Sequence, residues 1–139
     1  QIAFWKVNMK PGRPMAVGQL NHGACFFGLP GNPVAAMVTF YQVVQPVLEY
    51  LSGTTPTVPV FITARAATAL RKISGRREFQ RGIVSWDAQG QATVRLAAAQ
   101  GAGILHSMSQ ANCFIVLPEE GGPVAAGAPV RVQLFAGWV

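Results

Sequence analysis

Two lysines near the start of the chain carry the first chemical signal. Residues 1–10 alternate, with Ala3, Trp5, Val7 and Met9 on one side and Phe4, Lys6, Asn8 and Lys10 on the other, the period of a half-buried strand. Four residues of extended chain would set the Cα atoms of Lys6 and Lys10 about 13 Å apart on one face. Two ammonium groups at that spacing can grip two ends of an anionic ligand, and two solvated lysines would show the same pattern.

A second signal is Gly28-Leu29-Pro30-Gly31-Asn32-Pro33. An apolar run over 24–29 enters this turn, Asn32 is a favoured helix N-cap, and Pro33 is a favoured first helical residue. A strand, a glycine turn and a helix N-terminus together make an anion site, because free N–H groups point outward and the helix dipole favours negative charge. The stretch is neither a Walker A loop, since no Lys-Ser/Thr follows, nor GxGxxG. A rigid chain reversal uses the same residues.

Other polar groups point less clearly. His106, Ser107 and Ser109 fall in a polar segment, 105–112. A hydroxyl nucleophile needs a base and an orienting acid, but no carboxylate is near either histidine in sequence, so these serines read as turn residues. Arg71, Lys72, Arg76, Arg77 and Arg81 interleave with Phe79, with Trp86 beyond. That mixture suits single-stranded nucleic acid, yet the aromatics have strand-core spacing, and a basic solvated hairpin is the expectation.

Composition narrows the classes. Lys and Arg number 11 against 5 acidic residues, a net charge of +6, which attracts anionic partners. Glu49, Glu78, Asp87, Glu119 and Glu120 form no catalytic pair or metal triplet in sequence, and Glu119-Glu120 reads as a solvated turn. Cys25 and Cys113 each adjoin Phe without a CxxC pattern, so both are expected to be reduced, buried hydrophobes. With 50% hydrophobic and 12% charged residues, disorder is excluded. The apolar runs are far shorter than the roughly 18 residues of a membrane helix. No basic segment leads into an apolar one at the start, so a cytoplasmic location and no membrane partner are expected.

The elements that must position these groups follow from pattern. Pro11-Gly12-Arg13-Pro14 is a turn, residues 15–20 a short strand, and Asn21-His22-Gly23 a hairpin connection into 24–29. A helix opening at Asn32-Pro33 carries Val34, Met37, Val38, Tyr41, Val44, Leu48 and Leu51 on one stripe. Pro46 should kink or break it, and Ser52-Gly53 should stop it. Residues 54–59, with two prolines, read as a linker. Beyond it, 60–66, 78–86, 91–98, 113–117 and 130–135 are strand-like, with turns at 87–90 and 121–123, which predicts a small antiparallel sheet or barrel. The chain opens on Gln1 inside a strand pattern, so a piece of a longer protein is expected.

These motifs resemble a known family. Ile2-Ala3-Phe4-Trp5-Lys6, Lys10-Pro11-Gly12-Arg13-Pro14, the Gly28 to Pro33 loop, Thr39-Phe40-Tyr41-Gln42 and Gln45-Pro46 closely resemble the C-terminal part of the MoeA family of molybdopterin molybdenumtransferases, which includes the gephyrin E-domain. The similarity continues through Glu78-Phe79-Gln80-Arg81-Gly82, Ser107-Met108-Ser109 and Asn112-Cys113-Phe114-Ile115-Val116-Leu117, covering nearly the whole chain.

The resemblance implies an enzyme that inserts molybdate into adenylylated molybdopterin with Mg²⁺, releasing AMP and leaving molybdenum cofactor. It implies Lys6 and Lys10 as catalytic residues lining the site, Gly28, Pro30, Gly31, Asn32 and Pro33 as the loop beside the pterin phosphate, and Ser107 as a cofactor-binding residue from the C-terminal domain. The implied fold is an α/β fragment, residues 1–53, with strands and one long helix of a molybdopterin-binding domain. A small all-β barrel-like domain over 60–139 follows the linker. It implies a homodimer with the cleft between subunits. The acidic catalytic and Mg²⁺-binding residues are expected in earlier domains that have no counterpart here, so the chain should not turn over substrate alone. A non-catalytic interaction module of the same family and a basic nucleic-acid binder are the alternatives, with nucleic acid the less expected partner.

Overall fold

The computed structural model describes residues 1–98 and 105–135, apart from the side chain of Trp5. Within the stretch 60–139, positions 99–104 and 136–139 lie outside the described residues.

The alternating stretch 1–10 is two strands rather than one. β1 (Ile2–Lys6) pairs antiparallel with β3 (Pro14–Gln19), which pairs with β4 (Cys25–Gly28) in a three-stranded sheet. β2 (Met9–Lys10) leaves that sheet and pairs in parallel with β6 (Arg77–Trp86), setting Met9 opposite Arg77 and Lys10 opposite Glu78. The chain is drawn out at this point because buried Met9 joins a separate apolar cluster. Asn8 also bonds away from the sheet, donating its side-chain amide to Glu119 and accepting the Arg77 N–H at its carbonyl. The expected half-buried face of β1 is not seen: Ile2, Ala3 and Phe4 are exposed.

The helix begins where its cap predicts. Asn32 Oδ1 accepts from the Val34 and Ala35 N–H groups at 3.1 and 3.3 Å, and α1 (Pro33–Thr39) follows. Pro46 neither breaks the helical run nor ends it. A π-helical segment, Phe40–Val44, precedes α2 (Gln45–Leu51), with the Gln45 N–H reaching Phe40 O. The π-helical widening just before Pro46 lets the helical run continue past a residue that has no N–H to donate.

The second half is a barrel. β6, β7 (Ala92–Leu96), β5 (Phe61–Ala66), β9 (Pro129–Leu134) and β8 (Cys113–Leu117) pair in that order, and β8 pairs back onto β6. One strand serves both seams: Glu78 to Gly82 faces β8, and Gly82 to Trp86 faces β7. The expectation of an antiparallel sheet or barrel needs one correction, since β5 and β7 run parallel. The segment 105–112, read as turns, contains α3 (His106–Gln110).

Two apolar clusters hold the chain together. Ala64, Leu70, Val84, Val94, Ile115 and Val132 are among the residues filling the barrel. The other lies between the halves, where Met9, Val34 and Val38 meet Phe79, Met108, Phe114 and Val116. Phe114 makes edge contacts with Phe79 and Phe135 at 5.9 and 4.8 Å between centroids, a geometry favoured by ring quadrupoles. Gln42 Nε2 donates to Gln133 Oε1 at 2.8 Å across the same boundary.

Candidate anion-binding cleft

A cleft of about 1320 Å³ opens between the two halves. One wall is the turn at 9–14 with Pro30, Gly31 and Asn32, and the other is the barrel segment 69–73 with Arg76, β6 and Val124. The turn wall is fixed by Gly12, whose φ is +101° and whose position would drive an added Cβ into Thr39 Cγ2. Only glycine suits both demands. Thr39 is itself fully buried, donating its hydroxyl to Ala35 O and Ala36 O at 2.8 and 3.0 Å.

The expected site residues divide here. Lys10, Pro30, Gly31 and Asn32 line the cleft, whereas Lys6, Gly28, Pro33 and Ser107 are not among its lining residues. Lys6 and Lys10 do not share a strand face, because the chain changes sheets between them. The helix N-terminus also differs from the expectation of free donors. Pro33 has no N–H, Asn32 Oδ1 occupies those of Val34 and Ala35, and the Ala36 N–H bonds Asn32 O at 2.8 Å. What remains there is the dipole and a rigid edge.

The cations of the cleft come instead from side chains on both walls. Lys10, Arg13, Arg71, Lys72, Arg76 and Arg81 all line it, and Glu78 is the acidic residue among them. Arg81 is 2% exposed. Burial pushes its pKa below the ordinary arginine value, yet a guanidinium stays charged at neutral pH. Its Nε donates to Ser107 Oγ at 3.1 Å. Ser107 is thus buried behind Arg81, where its hydroxyl can fix the plane of the guanidinium. Arg81 is the residue that sequence reasoning passed over. The cue was Glu78, Gln80 and Arg81 occupying consecutive strand positions around Phe79, since a run so polar within a core strand has to serve something other than packing.

The remaining candidates fall away from the cleft. Cys25 is exposed, against expectation, because the sheet bearing it leaves that position uncovered, while Cys113 is fully buried. Burial pushes the Cys113 thiol up to about 12. The basic cluster does not form an exposed stripe: Lys72, Phe79 and Arg81 are buried, and exposed Trp86 lies at the opposite end of β6. No group of three or more His, Cys, Asp or Glu that could hold a metal occurs among the described residues. One carboxylate among six cleft cations does not fit Mg²⁺, which takes carboxylate and water oxygens. No helix among the described residues is long and apolar enough to cross a membrane.

Comparisons with known proteins match both halves of the chain. Residues 63–135 match the model of the MoeA C-terminal region, domain IV, and residues 1–50 match that of a probable molybdopterin binding domain. The chain is 45% identical to a molybdopterin molybdenumtransferase of Haemophilus influenzae, over 97% of this chain and 33% of that protein. It is 30% identical to gephyrin of Dictyostelium discoideum over 96% of this chain and 22% of the relative. Among solved structures, a molybdenum cofactor biosynthesis protein from Pyrococcus furiosus superposes with a TM-score of 0.76 at 30% identity, covering 96% of this chain and 45% of that one. The chain therefore spans a third or less of the length of these two curated relatives.

Proposed function

Because this chain belongs to the MoeA family, we propose that it supplies one part of a molybdenum-inserting site, binding molybdate and the phosphate groups of adenylylated molybdopterin as AMP leaves. The observation that carries this reading is the cleft between the two family-matched segments, lined by Lys10, Arg13, Arg71, Lys72, Arg76 and Arg81 with one carboxylate. Among the described residues, Lys10, Arg13, Arg71 and Arg76 have no side-chain hydrogen bond or ion pair, so their donors are available to a ligand's oxygens.

In this reading Lys10 and Arg81 face the oxyanion from opposite walls. Their charges offset the negative charge that would otherwise keep molybdate apart from a phosphate, an electrostatic role suited to preorganised cations. Ser107 positions Arg81 without touching the substrate. Pro11, Pro30 and Leu70 give the cleft apolar surface, which displaces water and strengthens each charge contact. Lys6, Gly28 and Pro33 lie outside the lining and act through the backbone they hold. Residues 1–53 and 60–139 form the two functional parts, joined at 54–59. Mg²⁺, the carboxylates that would hold it, a homodimer completing the cleft and a cytoplasmic location belong to the whole enzyme.

The test is molybdate insertion into adenylylated molybdopterin by a complete enzyme carrying these residues. Lys10→Ala should slow insertion by about 10²-fold with the thermal melt unchanged. Unchanged insertion kinetics would remove Lys10 from the site, and release of AMP by the 139-residue chain alone at a full enzyme's rate would overturn the assignment of the carboxylates elsewhere.

A further inference from the structure

On the outward face of the neighbouring strands β7, β5 and β9, the residues Phe61, Thr63, Arg65, Thr93, Arg95 and Arg131 take no part in the cleft or in the two apolar clusters. They alternate with core residues such as Ala64, Val94 and Val132, and all of them are exposed. The register sets the three arginines on a diagonal. Thr63 pairs with Arg131 and Arg65 with Thr93, so each arginine stands one strand over and two residues along from the next, a step of roughly 7–8 Å.

No carboxylate on this face competes for them. The strands β5, β7 and β9 contain no Asp or Glu, and Asp87, in the turn before β7, accepts from the Gln89 and Gln91 N–H groups at 2.9 Å. Arg65 makes one long contact, Nη1 to Gly127 O at 3.5 Å, and Arg131 lies over the Phe61 ring at 3.9 Å from its centroid. Arg95 has no side-chain partner among the described residues. Each guanidinium carries five N–H donors in a fork that suits a carboxylate, so most of the donors on this diagonal are open to one.

From this arrangement we infer a docking face for an acidic segment of a partner protein, held in extended form with a carboxylate at every second residue. Side chains on one face of an extended chain recur at about 6.6–6.8 Å, a repeat that the diagonal of arginines matches within the reach of their side chains. Charge complementarity selects an anionic partner, and the aromatic residues select protein over nucleic acid. Single-stranded nucleic acid needs open rings for its bases, but Arg131 occupies the face of Phe61, and Trp86 alternates with core Val84 on the other side of its strand. Because β5 is paired on both sides, the segment lies across the sheet and binds through side chains, without adding a strand. A partner held there leaves the cleft open, and the inference stands independently of the anion reading of that cleft.

The experiment is fluorescence anisotropy of a labelled peptide, three Glu alternating with Thr, titrated with the 139-residue chain at low and at physiological salt. The peptide should bind, weaken as salt rises, and bind roughly threefold or more tightly than a peptide of the same composition whose Glu residues are adjacent. Replacing the three arginines together, Arg65→Gln, Arg95→Gln and Arg131→Gln, should weaken it about tenfold, as expected for three exposed charge pairs, with the thermal melt little changed. Arg71→Gln with Arg76→Gln, in the cleft, should leave it unaltered. Should the triple variant not fold, Arg95→Gln alone decides, with a loss of roughly twofold. No binding at low salt, equal affinity for the two peptides, or an equal loss in the cleft variant overturns the proposal. Tighter binding of a thymidine oligonucleotide, lost in the same triple variant, would make the partner single-stranded nucleic acid and overturn it as well. The complete protein should bind the peptide as the 139-residue chain does, and binding lost there would mean that the rest of its own chain covers the face, which also overturns it.

Discussion

The barrel and the three-stranded sheet solve the same burial problem in opposite ways. In the barrel, β6 to β8 close on themselves and Val94, Ile115 and Val132 are completely shielded. In the sheet and the helix after it, Ile2, Phe4, Phe26, Tyr50 and Leu51 are 42% to 74% exposed. The barrel carries its own hydrophobic driving force, whereas the first segment is anchored through the Met9, Val34 and Val38 seam. The cleft inherits this asymmetry: its barrel wall can bury cations such as Lys72 and Arg81, and its other wall contributes turns and exposed ones.

The strongest test of this contrast sets two phenylalanines side by side. Phe114→Ala, in the seam and fully buried, should lower unfolding free energy by about 3–5 kcal/mol, and Phe26→Ala, on the open sheet, by about 0.5 kcal/mol or less. Comparable losses in urea titrations would mean that the sheet is held as firmly as the barrel. Gly12→Ala comes next, with roughly 1–3 kcal/mol lost to the positive φ and the collision with Thr39. Pairing it with Thr39→Ser removes the colliding methyl, so the double variant should regain part of the loss. Failure to regain any would show that backbone conformation alone sets the requirement.

A last test of the shielded barrel interior is a matter of pH. Because the folded Cys113 pKa is raised to about 12 from 9.0, the folded chain keeps a proton that the unfolded chain releases. This contribution is therefore full below pH 9 and is lost as pH rises toward about 12, at up to about 1.4 kcal/mol per unit. Cys113→Ala should flatten that alkaline slope, measured by urea titrations at pH 8.5 to 10.5. An unchanged slope would place the thiol in contact with water and the barrel interior with it.

Much of the barrel was legible because its signals are local. Residues 113–117 form an unbroken apolar run and are a strand with those same bounds. Asn32-Pro33 announces a cap by side-chain chemistry alone, and the cap forms. The split between β1 and β2 was not legible, since alternation reports which face a residue occupies and says nothing of which strand lies beside it. Ser107 was chosen by resemblance, but its bond to Arg81 joins residues 26 apart in sequence, and no local pattern announces such a contact. Cys25 was misjudged for a related reason: adjoining phenylalanines predict burial only where something covers them.

The pairing of β2 with β6 reaches beyond the site. At its Arg77 end β6 has β8 on one side and, because β7 pairs only with residues 82–86, would otherwise have bare backbone on the other. Met9 and Lys10 fill that gap. A barrel cut free between α2 and β5 would thus expose unpaired N–H and C=O groups at the mouth of the cleft, the kind of edge that recruits strands from other molecules and seeds aggregation. The chain passes from α2 to β5 with no helix or strand between them, while the β2–β6 pairing ties the two halves by backbone hydrogen bonds elsewhere.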